Sequence, residues 1–182
     1  MNKIETRIES IINNYHEEKG LSGTILVSKN YNVLFEKAYG DASIQLGVPN
    51  KLETKYHIAS VTKMFIAAAA LKLHGKGKIN LDHHPSTYLS ELDGLHPKIT
   101  IHHMLSHTSG LFDIYDIPNL RHEVSKLCHE NGDFLRYLGN QEQLFTPGEQ
   151  WKYSSTGFLL IAYILEKVTG KSFEMVLKEM FF

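Results

Sequence analysis

The chain has 182 residues, 42% of them hydrophobic, and a formal net charge of −1 without a long run of one sign. That length can bury a real core as one domain or a large part of one, and the near-neutral balance leaves no electrostatic footprint for nucleic acid or an anionic membrane surface. The single cysteine, Cys128, excludes an internal disulfide and a cysteine-based structural zinc site, and it leaves the redox compartment open.

The opening residues, MNKIETRIESIINNYHEEKG, carry Glu5, Arg7 and Glu9 where a signal peptide needs an apolar core. Export is not expected, and as written the chain is placed in the cytoplasm. Ile4, Ile8, Ile11, Ile12 and Tyr15 recur at helical spacing and Gly20 follows as a stop, which predicts an amphipathic helix over residues 3–19. Two β-rich runs, Thr24–Ser28 and Val33–Tyr39, flank KNYN and predict an antiparallel hairpin. No second convincing strand cluster follows residue 40. From residue 60 the pattern turns helical, over 61–75, near 100–106, around 121–138, over 155–168, and from Ser172 with that serine as cap. Gly, Pro and Asp punctuate between them. The longest apolar run, Met64–Leu71, is too short to cross a bilayer, so no membrane segment is expected.

The expected fold class is therefore mixed α/β: a helix, a hairpin and a largely helical remainder. A lone hairpin is marginal, and the chain stops on two large apolar residues, Phe181 and Phe182. Both features suggest the front part of a longer chain.

Ser60 and Lys63 open the Ala-rich segment HIASVTKMFIAAAALKLHGKGKI. A helix cap would account for Ser60 and leave Lys63 idle. Residues three apart are neighbours on a helix, so hydroxyl and amine can meet. A serine hydroxyl becomes a nucleophile when a base removes its proton, and a lysine can serve. The helix N-terminus adds N–H groups suited to an oxyanion. A single S-x-x-K pair is unspecific, but two more stretches follow in order: ITIHHMLSHTSGL (99–111) and PGEQWKYSSTGFLLIAYILEKVTGKSF (147–173). With YHIASVTKMF, they resemble the serine β-lactamase and penicillin-binding-protein superfamily, most nearly its class C-like branch of esterases, D-amino-acid peptidases and DD-peptidases. The resemblance runs from about the hairpin to the last residue.

It implies a β-lactamase/transpeptidase-like fold, here one domain cut short at its C-terminal end. Residues 1–45 would give the helix and first hairpin of the sheet part, and 46–182 the mainly helical part. It also implies catalytic roles for Ser60 as acyl-accepting nucleophile, Lys63 as its activating partner and Tyr153 as proton relay. Adjacent ammonium groups would favour the Tyr153 phenolate, and whether Lys63 or Tyr153 is the base stays open. Ser155 stands at the substrate-binding position where the family has Asn. A hydroxyl donates one hydrogen bond where an amide donates two, so efficient β-lactam hydrolysis is not expected. The family's Lys-Thr-Gly or His-x-Gly strand, with its second oxyanion donor, is missing. Because one such donor is worth about 100- to 1000-fold in turnover, weak or no activity is expected of this chain alone.

The implied substrates are amide or ester bonds in β-lactams, D-amino-acid peptides or small esters, with no metal or organic cofactor. A non-catalytic sensor or scaffold that keeps the fold is the alternative. His103 and His107 have a spacing that could hold a metal, but no Glu lies between them, and His107 opens the HTSGL turn, so a structural role is expected for both. In that turn His107, Thr108 and Ser109 would bond the backbone, with Gly110 at positive φ. Ala67–Ala70 reads as close core packing. Asp82 reads as a turn former, and Trp151 and Tyr115 as either cleft walls or half-buried packing.

Overall fold

The computed structural model describes residues 3–118 and 131–182. The chain divides into two compact units, residues 1–57 and 58–182.

In the first unit, α1 spans Lys3–Lys19, and a hairpin pairs β1 (Gly23–Lys29) with β2 (Asn32–Tyr39). The two-residue turn puts Asn30 and Tyr31 at positive φ, 52° and 64°, the geometry whose twist matches the flanking strands. A bulge follows at Val27/Ser28, so Leu34 is the extra residue of its strand. Polar bonds tie α1 to β2: Tyr39 Oη donates to Asn13 Oδ1 at 2.9 Å, and Lys37 pairs with Glu9 at 3.2 Å. Helix and hairpin thus match the expected positions. Against expectation, a second strand pair exists, β3 (Asp41–Ser43) with β4 (Val48–Pro49). Strands of two or three residues are too short to show alternation, so the sequence carries no signal for them.

The second unit contains α2 (Thr62–Gly75), entered through a 3₁₀ turn at Ala59–Val61, then α3 (Ile101–Leu105), α4 (Asn131–Gly139), α5 (Ser155–Thr169) and α6 (Phe173–Phe181). The expected helix around 121–138 lies partly outside the described residues, as does Cys128. The core is made where α2, α3 and α5 meet, with Ala69, Ala70, Ile101, Leu160, Ile161 and Ile164 all fully buried. The Ala-rich run therefore serves close approach, as expected. Gly157 carries the same logic: a Cβ there would lie 3.2 Å from Met104 Cβ, so its absence lets α5 come down on α3.

Helix ends follow the local chemistry. Thr100 and His103 form a capping box on α3, Ser154 Oγ accepts from Gly157 N–H at 3.3 Å to start α5, and Ser172 Oγ accepts from Met175 N–H to start α6. Gly170, at φ 68°, closes α5. At the chain end, Phe181 and Phe182 pack their rings on Phe65, with centroids 5.7 and 5.4 Å away. Asp82 lies in a turn as expected, closed by His83 N–H donating to the Asn80 carbonyl at 3.2 Å, and Asn80 Oδ1 also accepts from Asp82 N–H at 3.0 Å.

Candidate active site

Ser60 sits in the 3₁₀ turn just before α2, and the Ala59 backbone ahead of it is held in the left-handed region at φ 43°. A non-glycine residue there stores strain of the kind that collects at functional turns. The cap reading of Ser60 is overturned. The N-terminal cap positions, Ile58 for the turn and Val61 for the helix, carry no side-chain cap bond. The Ser60 hydroxyl is instead hydrogen-bonded to Tyr153 Oη at 2.8 Å.

Lys63 lies one turn on. Its Nζ donates to Ser60 Oγ and to Ser155 Oγ, both at 3.4 Å, and stands 4.9 Å from the centroid of the Tyr153 ring. All four expected site residues, Ser60, Lys63, Tyr153 and Ser155, are thus brought together within the second unit. The Lys63 ammonium, and after it the Ser60 hydroxyl, holds the Tyr153 phenol below its ordinary value of 10.0. A phenol so placed becomes a usable base closer to neutrality.

The segment that presents Tyr153 and Ser155 is strapped to residues 107–113. Lys152 N–H donates to the His107 carbonyl at 3.0 Å and Ser154 N–H to His107 Nδ1 at 3.1 Å. Ser154 Oγ donates to the Phe112 carbonyl at 2.9 Å. The His107 ring stacks on Tyr153 with centroids 4.6 Å apart and meets Trp151 edge-on at 5.8 Å. Burial first, and then the Lys63 charge, lowers the His107 pKa, with Asp113 opposing. The imidazole is thereby favoured neutral, with Nδ1 free to accept. His103 Nδ1 accepts from Thr100 N–H at 3.3 Å, so each imidazole of the expected structural pair has a backbone partner.

In the turn itself His107 is at φ 59° and Gly110 at φ 73°. Ser109 Oγ accepts from Leu111 N–H at 3.3 Å, while Thr108 bonds the Ser106 hydroxyl rather than backbone.

A cleft of about 360 Å³ opens over Ser60 and Lys63, with Ile66, Ile114, Tyr115 and Phe158 among its walls. Tyr115 is thus a wall residue. Trp151, 65% exposed, stands outside those walls and against His107. Two contributors escape a reading of the sequence alone. One is the His107 ring as a support for Tyr153. The other is Asp113, a buried carboxyl two residues beyond the HTSGL stretch that touches Ser155. Asp113 lies in GLFDIYDIP with a second acidic residue, Asp116, three positions on, and nothing in that stretch marks which of the two carboxyls turns toward Ser155.

Comparison with known proteins bears on the family and the fold. Residues 8–182 match the Beta-lactamase family model. Esterase EstB of Burkholderia gladioli is 30% identical over 182 residues, which cover 92% of this chain and 46% of that protein. Penicillin-binding protein 4* of Bacillus subtilis (strain 168) is 28% identical over 177 residues, 96% of this chain and 39% of that protein. The crystal structure of a penicillin-binding protein from Bacillus halodurans superposes with a TM-score of 0.76 at 32% identity, covering 92% of this chain and 51% of that one. The chain spans about half the length of that structure and less than half of those two curated relatives. Its fold is the mixed α/β β-lactamase/transpeptidase-like fold, represented in part, and the chain belongs to the Beta-lactamase family.

Proposed function

We propose that this chain carries the nucleophile half of a serine hydrolase that works through an acyl-enzyme on Ser60. The observation that supports this most directly is the Ser60 hydroxyl held between the Tyr153 phenol at 2.8 Å and the Lys63 amine at 3.4 Å. Nucleophile and base at that spacing are what acyl transfer requires. Tyr153, its phenolate favoured by Lys63, takes the Ser60 proton as Oγ bonds the substrate carbonyl carbon. The resulting oxyanion faces the N-terminal end of α2. Collapse expels the leaving group, which receives its proton from Tyr153, and water then cleaves the acyl-serine.

The substrates are amide or ester bonds, in keeping with relatives named as an esterase and a penicillin-binding protein. We read residues 1–182 as part of a single domain of this family. Since the chain spans less than half of those relatives, acylation is expected of it and turnover is expected to be slow.

Intact-mass spectrometry after incubation with a fluorophosphonate and, separately, with a penicillin tests the reading. A single adduct on the wild type, absent from Ser60→Ala, supports an activated nucleophile. A penicillin adduct that never decays would favour a sensor that acylates without turnover. Folded wild type that takes up neither reagent would overturn the proposal.

A further inference from the structure

Asp113 is buried, 9% exposed, and both of its carboxyl oxygens are in use. Oδ1 accepts from Tyr115 N–H at 3.0 Å. Oδ2 accepts from Ser155 N–H at 3.1 Å and from the Ser155 hydroxyl at 3.2 Å. A serine hydroxyl has one proton, and a carboxylate can only accept. With that proton directed to Asp113, the lone pairs of Ser155 Oγ remain, and Lys63 Nζ donates to them at 3.4 Å.

Resting on the assignment of Ser60 and Lys63 above, we propose that Asp113 is a positioning residue: it commits the Ser155 hydroxyl proton, so that Ser155 faces Lys63 as an acceptor and does not act as a donor to substrate. The chain of contacts runs Asp113, Ser155, Lys63, Ser60, Tyr153. Lys63 donates on both sides, to Ser155 Oγ and to Ser60 Oγ, and Asp113 fixes the orientation of the Ser155 hydroxyl that accepts from it. Ser155 thereby anchors the lysine beside the nucleophile. Asn cannot replace Asp113, because backbone N–H groups point at both of its oxygens, and an amide must turn its NH₂ on one of them.

Ser155→Ala is the clean variant, since it removes the hydroxyl and leaves Asp113 bound to Tyr115 N–H and Ser155 N–H. It is compared with Asp113→Asn and with the double variant by two readouts. The first is the rate of Ser60 phosphonylation by a fluorophosphonate across pH. The second is the titration of Tyr153 followed by NMR of ¹³Cζ-labelled tyrosine, with Tyr153→Phe for assignment. Thermal melting confirms that each variant is folded.

The expected result is a loss of about tenfold in rate for either single variant, the scale of one ordinary hydrogen bond. The Tyr153 titration should move to higher pH in both, because Lys63 is no longer held beside the phenol. The double variant should lose no more than the worse single one. A Ser155→Ala protein with unchanged rate and unchanged Tyr153 titration would overturn the proposal, as would a double variant whose loss is the product of the two. If the wild type is not phosphonylated at all, the nucleophile assignment falls, while the Tyr153 titration still decides whether Asp113 and Ser155 place the lysine.

Discussion

At Tyr153 a phenol lies beside an ammonium group with little burial to oppose its ionisation, and Lys63 is the main cause of its lowered pKa. If Tyr153 is the base, the rate of Ser60 modification rises with pH through a midpoint below 10. Lys63→Met should return that midpoint toward the ordinary phenol value, and a pH profile of phosphonylation measures the move. An unmoved midpoint would mean that another group titrates.

His107 gives a second pH dependence, this time in stability. Its folded pKa is lowered, mainly by burial, so the unfolded chain binds the proton more readily. The associated stability is fully present above the unfolded value near 6.5 and is lost as pH falls through the lower folded value. Acid should also break the bond from Ser154 N–H, since a doubly protonated ring cannot accept at Nδ1. Urea midpoints compared between pH 7.5 and 5 should fall more for the wild type than for His107→Gln. Equal falls would assign the acid sensitivity to other groups.

Among the elements, those with strong local chemistry were legible in the sequence: α1 from its spacing of Ile residues, the hairpin from its β-rich runs, and α6 from Ser172. The candidate site was legible as far as Ser60, Lys63, Tyr153 and Ser155, because two of the three ordered motifs, YHIASVTKMF and PGEQWKYSSTGF, carry them. The 3₁₀ entry to α2 was hidden, since it depends on a positive φ at Ala59 that no alanine advertises. So was the strap from residues 107–113, because bonds between positions 42 to 47 residues apart leave no periodic trace.

One glycine in that strap tests how firmly it is set. Gly110 is at φ 73°, and a Cβ there would stand 2.3 Å from the Phe145 carbonyl oxygen. The strain is not relieved by a side-chain rotation, because the obstacle is backbone. Gly110→Ala should cost on the order of 3 kcal/mol, combining left-handed strain with overpacking. The bond from Leu144 N–H to the Gly110 carbonyl, 2.9 Å, should loosen with it. Denaturant unfolding measures the first effect. A loss below about 0.5 kcal/mol, the range of an ordinary surface change, would show that the loop at 141–148 yields easily.

At the scale of the molecule the two units differ in what holds them. Among the described residues, Tyr39 is the one hydrophobic side chain of the first unit that is buried, at 6% exposed, while Ile44 and Leu46 are 83% and 78% exposed. The second unit has a continuous core running from Ile66 to Leu165. Hydrophobic burial is the dominant favourable term in folding, and segments with few buried apolar contacts open at low free energy. A two-stranded hairpin adds little independent stability, and polar ties such as Lys37 to Glu9 are solvent-exposed pairs of small worth. Hydrogen exchange read by mass spectrometry on residues 1–182 should therefore find the amides of β1 and β2 exchanging well before those of α2 and α5. Protection in the hairpin equal to that in α5 would refute this ordering. It would mean that the exposed apolar side chains of the first unit are covered in solution, by self-association or by a partner, and dilution would separate those cases because only self-association depends on the concentration of the chain.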